Sequence, residues 1–163
     1  MRRVPRALLV LALATLAGCA AGGGEDLRAG VSTEAQVRQS MGRPAAIFDN
    51  ADGTRRLAYP RGPLGTQTFM ADVGGDGRLA RISQVLDDDV FRRIQPGWTQ
   101  DDVLRAIGPT GDTSAFSLSR THAWNYRYTD TWGYQAIFSV VFDAQDRVVG
   151  KTSQRLDRSD GHR

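Results

Sequence analysis

The chain of 163 residues has little of what catalytic and metal-binding proteins rely on: one cysteine, two histidines and one lysine. Because Cys19 is alone, no disulfide forms within the chain, and burial of apolar side chains must stabilise the fold. His122 and His162 lack the further partners of a usual zinc site. The sequence also has no Gly-x-Ser-x-Gly nucleophile elbow. It therefore predicts a protein that is not an enzyme and that uses no metal, cofactor or small-molecule substrate.

Three patterns that superficially suggest ligand sites have simpler interpretations. The DNADG segment at 49–53 has alanine and glycine where a calcium loop needs oxygen ligands, so we interpret Asp52-Gly53 as a hairpin turn. The glycine-rich segment 73–78 lacks the lysine and following helix of a phosphate loop, and we interpret it as another turn. His122 begins a predicted strand and His162 lies in a charged tail, so neither indicates catalysis.

Long apolar runs are also scarce, and the only one lies at the amino terminus, at residues 7–17. It follows the arginines Arg2, Arg3 and Arg6 and precedes small residues, which is typical of a secretory signal peptide. Eleven residues rise about 16 Å as a helix, well short of a bilayer core of about 30 Å. We therefore do not expect a lasting transmembrane helix.

The segment Leu16-Ala17-Gly18-Cys19 closes this run and resembles the bacterial lipobox. The resemblance implies that the Cys19 sulfur receives a diacylglyceryl group, that cleavage falls before Cys19, and that its new amino group is acylated with a fatty acid such as palmitate. Two or more acyl chains hold a protein stably on a membrane, at about 0.8 kcal/mol per buried methylene. Ala20, by the same resemblance, favours the periplasmic face of the outer membrane over the inner membrane.

An excess of charge of one sign is missing once the leader is removed. The precursor has a net charge of +3 and a pI near 9.5. Cleavage removes three arginines and no acid, which leaves 18 basic and 18 acidic side chains. A neutral mature chain gives no reason to expect a nucleic-acid partner.

The remainder of the chain reads as two copies of one pattern, seen by comparing residues 27–44 with 94–110. Three matched pairs mark a short helix in each copy. Thr33 and Thr99 precede it, Val37 and Val103 lie within it, and Gly42 and Gly108 end it. Threonine at the N-cap, with Gln36 or Asp102 three residues later, forms a capping box, and the glycines favour the C-terminal stop. Another helix is predicted after Asp87 or Asp88, with a shorter counterpart before Thr33.

Three antiparallel strands follow the helices in each copy. They are predicted at 54–59, 67–73 and 79–86, and at 122–128, 135–142 and 148–156, with turns at 74–78 and 143–147. The turns and the endings SQVLD and SQRLD do not align together without a one-residue gap, so the register of the last strand stays open. We expect helices on one face of each sheet and an aromatic face on the other, with the two sheets side by side. The aromatic residues are Tyr59, Phe69, Trp124, Tyr126, Tyr128, Tyr134 and Phe138.

The predicted fold class is α+β, with two tandem units of two helices and a three-stranded antiparallel sheet. The boundaries are a signal peptide at 1–18, the lipidated cysteine and tether at 19–24, units at 25–87 and 88–157, and a disordered tail at 158–163.

The ordered motifs Gly-x-Thr-x-x-x-Val-x-x-x-x-Gly-x-Pro, Asp-Gly…Tyr-Pro-x-Gly and Asp-Gly-Arg resemble the BamE (SmpA/OmlA) family of outer-membrane lipoproteins. The match covers 27–86 and 90–156. The first copy has one extra residue between Gly30 and Thr33, and the second has Gly108-Pro109 in place of Gly-x-Pro. The tandem arrangement also resembles the β-lactamase-inhibitor protein, in which two such units grip an enzyme.

The resemblance implies an accessory role in the assembly of outer-membrane β-barrel proteins, with a lipid anchor and other envelope proteins as partners. The alternative is a periplasmic protein-binding module or enzyme inhibitor. The loops at 60–65 and 129–133 occupy equivalent places between strands and contain Leu64 and Trp132. Because tryptophan is enriched at binding hot spots, we expect these two residues to mark a protein-binding surface.

Overall fold

The structure, a computed structural model, describes residues 24, 26–62 and 65–156. Cys19, Leu64 and His162 lie outside the described residues. The elements in chain order are α1 (Glu34–Met41), β1 (Ala46–Asp49), β2 (Arg55–Pro60), β3 (Thr68–Val73), β4 (Leu79–Gln84), α2 (Asp88–Arg93), α3 (Gln100–Ile107), β5 (Asp112–Phe116), β6 (Thr121–Thr129), β7 (Gln135–Phe142) and β8 (Val148–Arg155).

The helix starts follow the capping chemistry that the sequence predicts. Thr33 precedes α1 and Thr99 precedes α3, and each forms a capping box with Gln36 or Asp102. Asp87 caps α2 by accepting a hydrogen bond from the amide of Val90 at 2.9 Å. These contacts satisfy amides that have no partner within a helix, and so fix where each helix begins.

The helix expected before α1 is absent from residues 26–33. Backbone hydrogen bonds instead join this segment to β4, from the Gly30 amide to the Leu79 carbonyl and from the Leu79 amide to the Ser32 carbonyl, both at 2.7 Å. Pairing with a neighbouring strand uses the groups that a helix would need.

The α+β class with antiparallel sheets is confirmed, and each sheet has four strands in chain order, β1 to β4 and β5 to β8. The additional strands, β1 and β5, were not predicted. Both are short edge strands: β5 has the sequence DTSAF, with one large apolar residue, and so gives no alternating pattern.

The two sheets share their hairpin geometry. A bulge lies at the end of β3 and of β7, after which Val73 pairs with Leu79 and Phe142 with Val148. Isolated bridges join Thr33 to Arg78 and Thr99 to Arg147. The turns of the two copies therefore align, and the endings Ser83-Gln84 and Ser153-Gln154 are offset by one residue.

Each sheet has a front face, on which the preceding helix of its own copy packs, and a back face. On the first sheet, Leu57 and Ala71 are on the front face with α1, and Ala58 and Met70 are on the back face. On the second sheet, the front face holds Trp124, Tyr126, Tyr128, Phe138 and Val140.

The aromatic residues were expected on the uncovered face, and this prediction was wrong. Phe91 of α2 stacks on Phe138 with ring centres 3.8 Å apart and meets the edge of Tyr128 at 4.8 Å. Large rings bury the most apolar area when a helix covers them, which favours the covered face.

The sheets do not form one continuous surface either, because α3 lies between them. Val103 and Ile107 of α3 belong to the same core cluster as the front face of the second sheet. On its other side, α3 meets the back face of the first sheet, where Arg56 donates to the Arg105 carbonyl at 2.9 Å. The order of layers is α1, first sheet, α3, second sheet.

Candidate protein-binding site

The turn between β6 and β7 displays aromatic side chains on a well-connected backbone. Asp130 accepts hydrogen bonds from the amides of Trp132 and Tyr134, both at 2.9 Å. Gly133 has a φ of +83°, a conformation that side chains disfavour. The sequence TDTWGY thus sets a turn of defined shape through an aspartate at its start and a glycine near its end.

Contacts with two distant segments hold this turn in place. Arg155 at the end of β8 donates to Asp130 at 2.6 Å. Asp88, the first residue of α2, accepts from the Thr131 hydroxyl at 2.5 Å and from the Tyr128 hydroxyl at 3.1 Å. The turn is therefore tied both to the edge strand and to a helix start.

The carboxylates beneath the turn are charged at neutral pH. The hydroxyl and amide of Thr131 hold the pKa of Asp88 below its usual range. Burial opposes ionisation of Asp130, but the amides of Tyr134 and Trp132 and the Arg155 guanidinium outweigh it and lower its pKa. Hydrogen bonds to the charged form cause this direction of shift.

The side chains above these carboxylates are exposed. Trp132 is 79% exposed and Tyr134 is 53% exposed, whereas the Asp130 side chain is 7% exposed. The Arg155 guanidinium lies 4.6 Å from the centre of the Tyr134 ring, within the range of a cation–π contact. Beside Trp132 there is a depression of about 240 Å³ whose lining includes Ala136 and Ser153.

These features suit contact with a protein surface. Trp, Tyr and Arg are the residue types enriched at binding hot spots, and a fixed backbone lowers the entropy lost on binding. An exposed tryptophan contributes little to its own core, so burial by a partner is where its apolar area stabilises most. We name Trp132, Tyr134 and Arg155 the aromatic turn.

Sequence reasoning identified one member of the aromatic turn. Trp132 was predicted as a binding residue, and that role stays a prediction. Leu64, its predicted partner, and Cys19, the predicted lipidation site, lie outside the described residues. Tyr134 was placed on a sheet face instead. Arg155 was missed because it joins the turn only through the pairing of β7 with β8, at a separation of 25 residues.

His122 lies on β6 and packs against other side chains. Its ring stacks on Phe142 with centres 5.2 Å apart, and its Nε2 is 2.9 Å from the Gln100 amide nitrogen. In the part of the chain that the structure describes, no three His, Cys, Asp or Glu side chains are grouped as metal ligands. Within the same residues, none of the helices is long and apolar enough to cross a membrane.

Comparisons with known proteins give two structural likenesses. One is OsmE, described as an osmotically inducible lipoprotein, with 24% identity, a TM-score of 0.36, and coverage of 40% of this chain and 75% of that one. The other is YjgB of Bacillus subtilis, a DUF4309 family protein, with 13% identity, a TM-score of 0.33, and coverage of 83% and 86%. Both scores are too low to assign a function. No protein-family model matches the chain, and no curated protein matches it significantly.

Proposed function

We propose that this protein is a lipid-anchored, non-enzymatic component of the bacterial envelope that acts by binding other envelope proteins. The observation that carries the binding role is the aromatic turn, with Trp132 exposed above the ionised carboxylates of Asp88 and Asp130. The anchor rests on the lipobox at Leu16–Cys19, and the location on the periplasmic face of the outer membrane rests on Ala20. The finer role is that of a BamE-like accessory in the assembly of β-barrel proteins, and it rests on the sequence motifs.

An anchor at Cys19 restricts how far the folded body lies from the membrane. Gly24 is buried, and it lies so near Ile82 and Leu27 that an added methyl group would meet both side chains. The five intervening peptide links reach at most about 18 Å. The edge of the first sheet at Ile82 is therefore the part that the anchor holds close to the lipid.

The anchor is tested by replacing Cys19 in the full chain and following fatty-acid labelling. We expect Cys19→Ala to abolish incorporation of a palmitate analogue and to release the protein from the outer-membrane fraction. Ala20→Asp is the matched control. This variant should still incorporate the palmitate analogue, but it should be found in the inner-membrane fraction. Labelling of Cys19→Ala at the level of the original chain would contradict the anchor.

The binding role is tested by crosslinking in cells with Trp132→Ala. We expect loss of crosslinks to envelope proteins, with less than about 0.5 kcal/mol change in the free energy of unfolding, because exposed side chains contribute little to stability. Trp124→Ala is the control, since that ring packs against Phe142 at 4.8 Å and should cost stability. Crosslinks to barrel-assembly proteins support the accessory role, whereas a single soluble enzyme as partner supports the inhibitor alternative.

A further inference from the structure

The back faces of the two sheets are formed by equivalent strands of the two copies, but their surroundings differ. On the first sheet, the back face is covered by α3: Gly108 lies against Ala58, Thr68 and Met70, and Arg105 stacks over Phe48 at 5.3 Å. This interface within the chain shows what kind of element the back face of such a sheet accepts, namely an amphipathic helix.

The matching bulges align the back faces residue by residue. The positions of Ala58 and Met70 correspond to Asn125 and Ser139 on the second sheet. Asn125 donates to Asp112 at 3.2 Å and to Ser114 at 3.1 Å, and accepts from Ser139 at 2.8 Å. These polar groups satisfy one another, so they do not require water or a ligand to be partnered.

Apolar groups surround this polar centre. The ion cluster that Arg56, Asp72 and Arg81 form on the first sheet is replaced at the equivalent positions by the smaller or uncharged residues Ala123, Val141 and Gly150. Ile137 is on the same face, and Phe116 at its edge is half exposed. Val141 and Ile137 belong to neither hydrophobic core cluster of the described residues.

Arg127 supplies the charge of this face. It lies on β6 two residues beyond Asn125, and its guanidinium has no hydrogen bond or ion pair with any residue that the structure describes. On the first sheet, Arg56 meets a carbonyl in the last turn of α3. A helix that presents a carboxylate or its C-terminal end would satisfy Arg127 in the same manner.

We propose that the back face of the second sheet binds an amphipathic helix of another protein, with aliphatic residues on Val141 and Ile137 and an acidic group at Arg127. The occupant is not α1 of a second copy. Leu104 of α3 packs against the hydrophobic core, but the residue at the equivalent position of α1 is Arg38, which forms an ion pair with Glu34 at 2.6 Å. Helix α1 therefore lacks the apolar residue that α3 has at this position. This face is distinct from the aromatic turn, so the proposal stands apart from the role of Trp132.

The test is site-specific photo-crosslinking in cells, with a photoreactive residue at Ile137 or Val141 of the full lipidated chain. We expect both positions to capture one segment of one partner, at residues three or four apart, in a sequence with an apolar stripe and an acid. A synthetic peptide of that segment should bind the full mature chain. Capture of a second copy, of lipid, of an extended segment or of no protein overturns the proposal.

Variants separate this face from the rest of the molecule. Val141→Asp and Arg127→Glu should each weaken peptide binding about tenfold or more, as expected for central interface residues. Val31→Asp, at an exposed valine away from the second sheet, should leave binding unchanged. Val141→Thr tests the same site if Val141→Asp fails to fold. Equal binding by Arg127→Glu and the original chain would overturn the charge assignment, and loss of binding in Trp132→Ala would overturn the independence of the two surfaces.

Discussion

The two sheets have the same strand order and the same hairpin bulges, yet the described residues cover one sheet on both faces and the other on one face only. Met70 on the back face of the first sheet is fully buried, whereas the equivalent Ser139 is half-buried and donates its hydroxyl to Asn125. The residues at matched positions differ accordingly, from apolar or ion-paired under α3 to polar or small aliphatic on the open face. Position within the stack of layers, and not the repeated pattern itself, therefore determines which face must be apolar.

The largest expected effect comes from truncating matched residues at the centres of the two back faces. Met70→Ala should lower the free energy of unfolding by about 2–5 kcal/mol, because it leaves a cavity between the first sheet and α3. Ser139→Ala should cost about 1 kcal/mol, the net value of one hydrogen bond. Denaturant titration of both variants measures the difference. Equal losses would mean that the second back face is also buried.

Two glycines at equivalent positions end helices with different surroundings. Gly42 and Gly108 end α1 and α3 with φ values of +86° and +80°. Both also have ψ near 180°, a combination that is essentially restricted to glycine, so alanine at either position costs about 1–3 kcal/mol in backbone strain. Only at position 108 would the new methyl also meet the first sheet, at 3.0 Å from Thr68 and 3.3 Å from Met70.

We therefore expect Gly108→Ala to cost about 1–3 kcal/mol more than Gly42→Ala, the usual range for overpacking. Thermal and denaturant unfolding give this difference directly. If the two variants are equally stable, α3 does not press on the first sheet as closely as the geometry indicates.

A tyrosine pair tests the front faces. The Tyr126 hydroxyl donates to the Gly108 carbonyl at 3.0 Å, and burial raises its pKa. The hydroxyl of Tyr59, at the equivalent position, is buried without a partner among the described residues. Tyr126→Phe should cost about 1–2 kcal/mol by orphaning a buried carbonyl, whereas Tyr59→Phe should be neutral or stabilising. A cost for Tyr59→Phe as large as that for Tyr126→Phe would mean that its hydroxyl has a partner.

Interactions between residues that are close in the sequence made much of this fold predictable. Threonine caps, glycine stops and the Asp76-Gly77 turn act within a few residues, so the helices α1 and α3 and six of the strands lie close to their predicted positions. The edge strands β1 and β5 were not predictable in this way, since their backbone hydrogen bonds form only on pairing with β2 and β6.

The faces and the candidate site depended on long-range contacts. Alternation separates two faces of a strand but does not say which one a helix covers, so the aromatic residues were assigned to the wrong side. Trp132 stood out by its residue type and its turn. The supports of that turn, Asp88 and Arg155, come from α2 and β8, and no local pattern joins them to it.

The smallest expected effect concerns acid, and it compares the turn at 130–134 with its counterpart at 61–67. The second-sheet turn depends on Asp88 and Asp130, whose pKa values are lowered in the folded state. A carboxylate with a folded pKa below its unfolded value stabilises the fold above the unfolded pKa, and this contribution is lost as the pH falls through the folded pKa. The turn should therefore be unchanged from pH 7 to about 5 and should loosen below about pH 4. The counterpart segment 61–67 contains no acid and should not respond.

Amide chemical shifts of Trp132 and Tyr134, with Gly62 and Gly65 as references, report the two turns separately. Asp130→Asn should reduce the change in the Trp132 amide chemical shift as the pH falls. Movement of all four amides at one pH would indicate global unfolding, and a Trp132 amide that is unmoved at pH 2 would contradict the part assigned to these carboxylates.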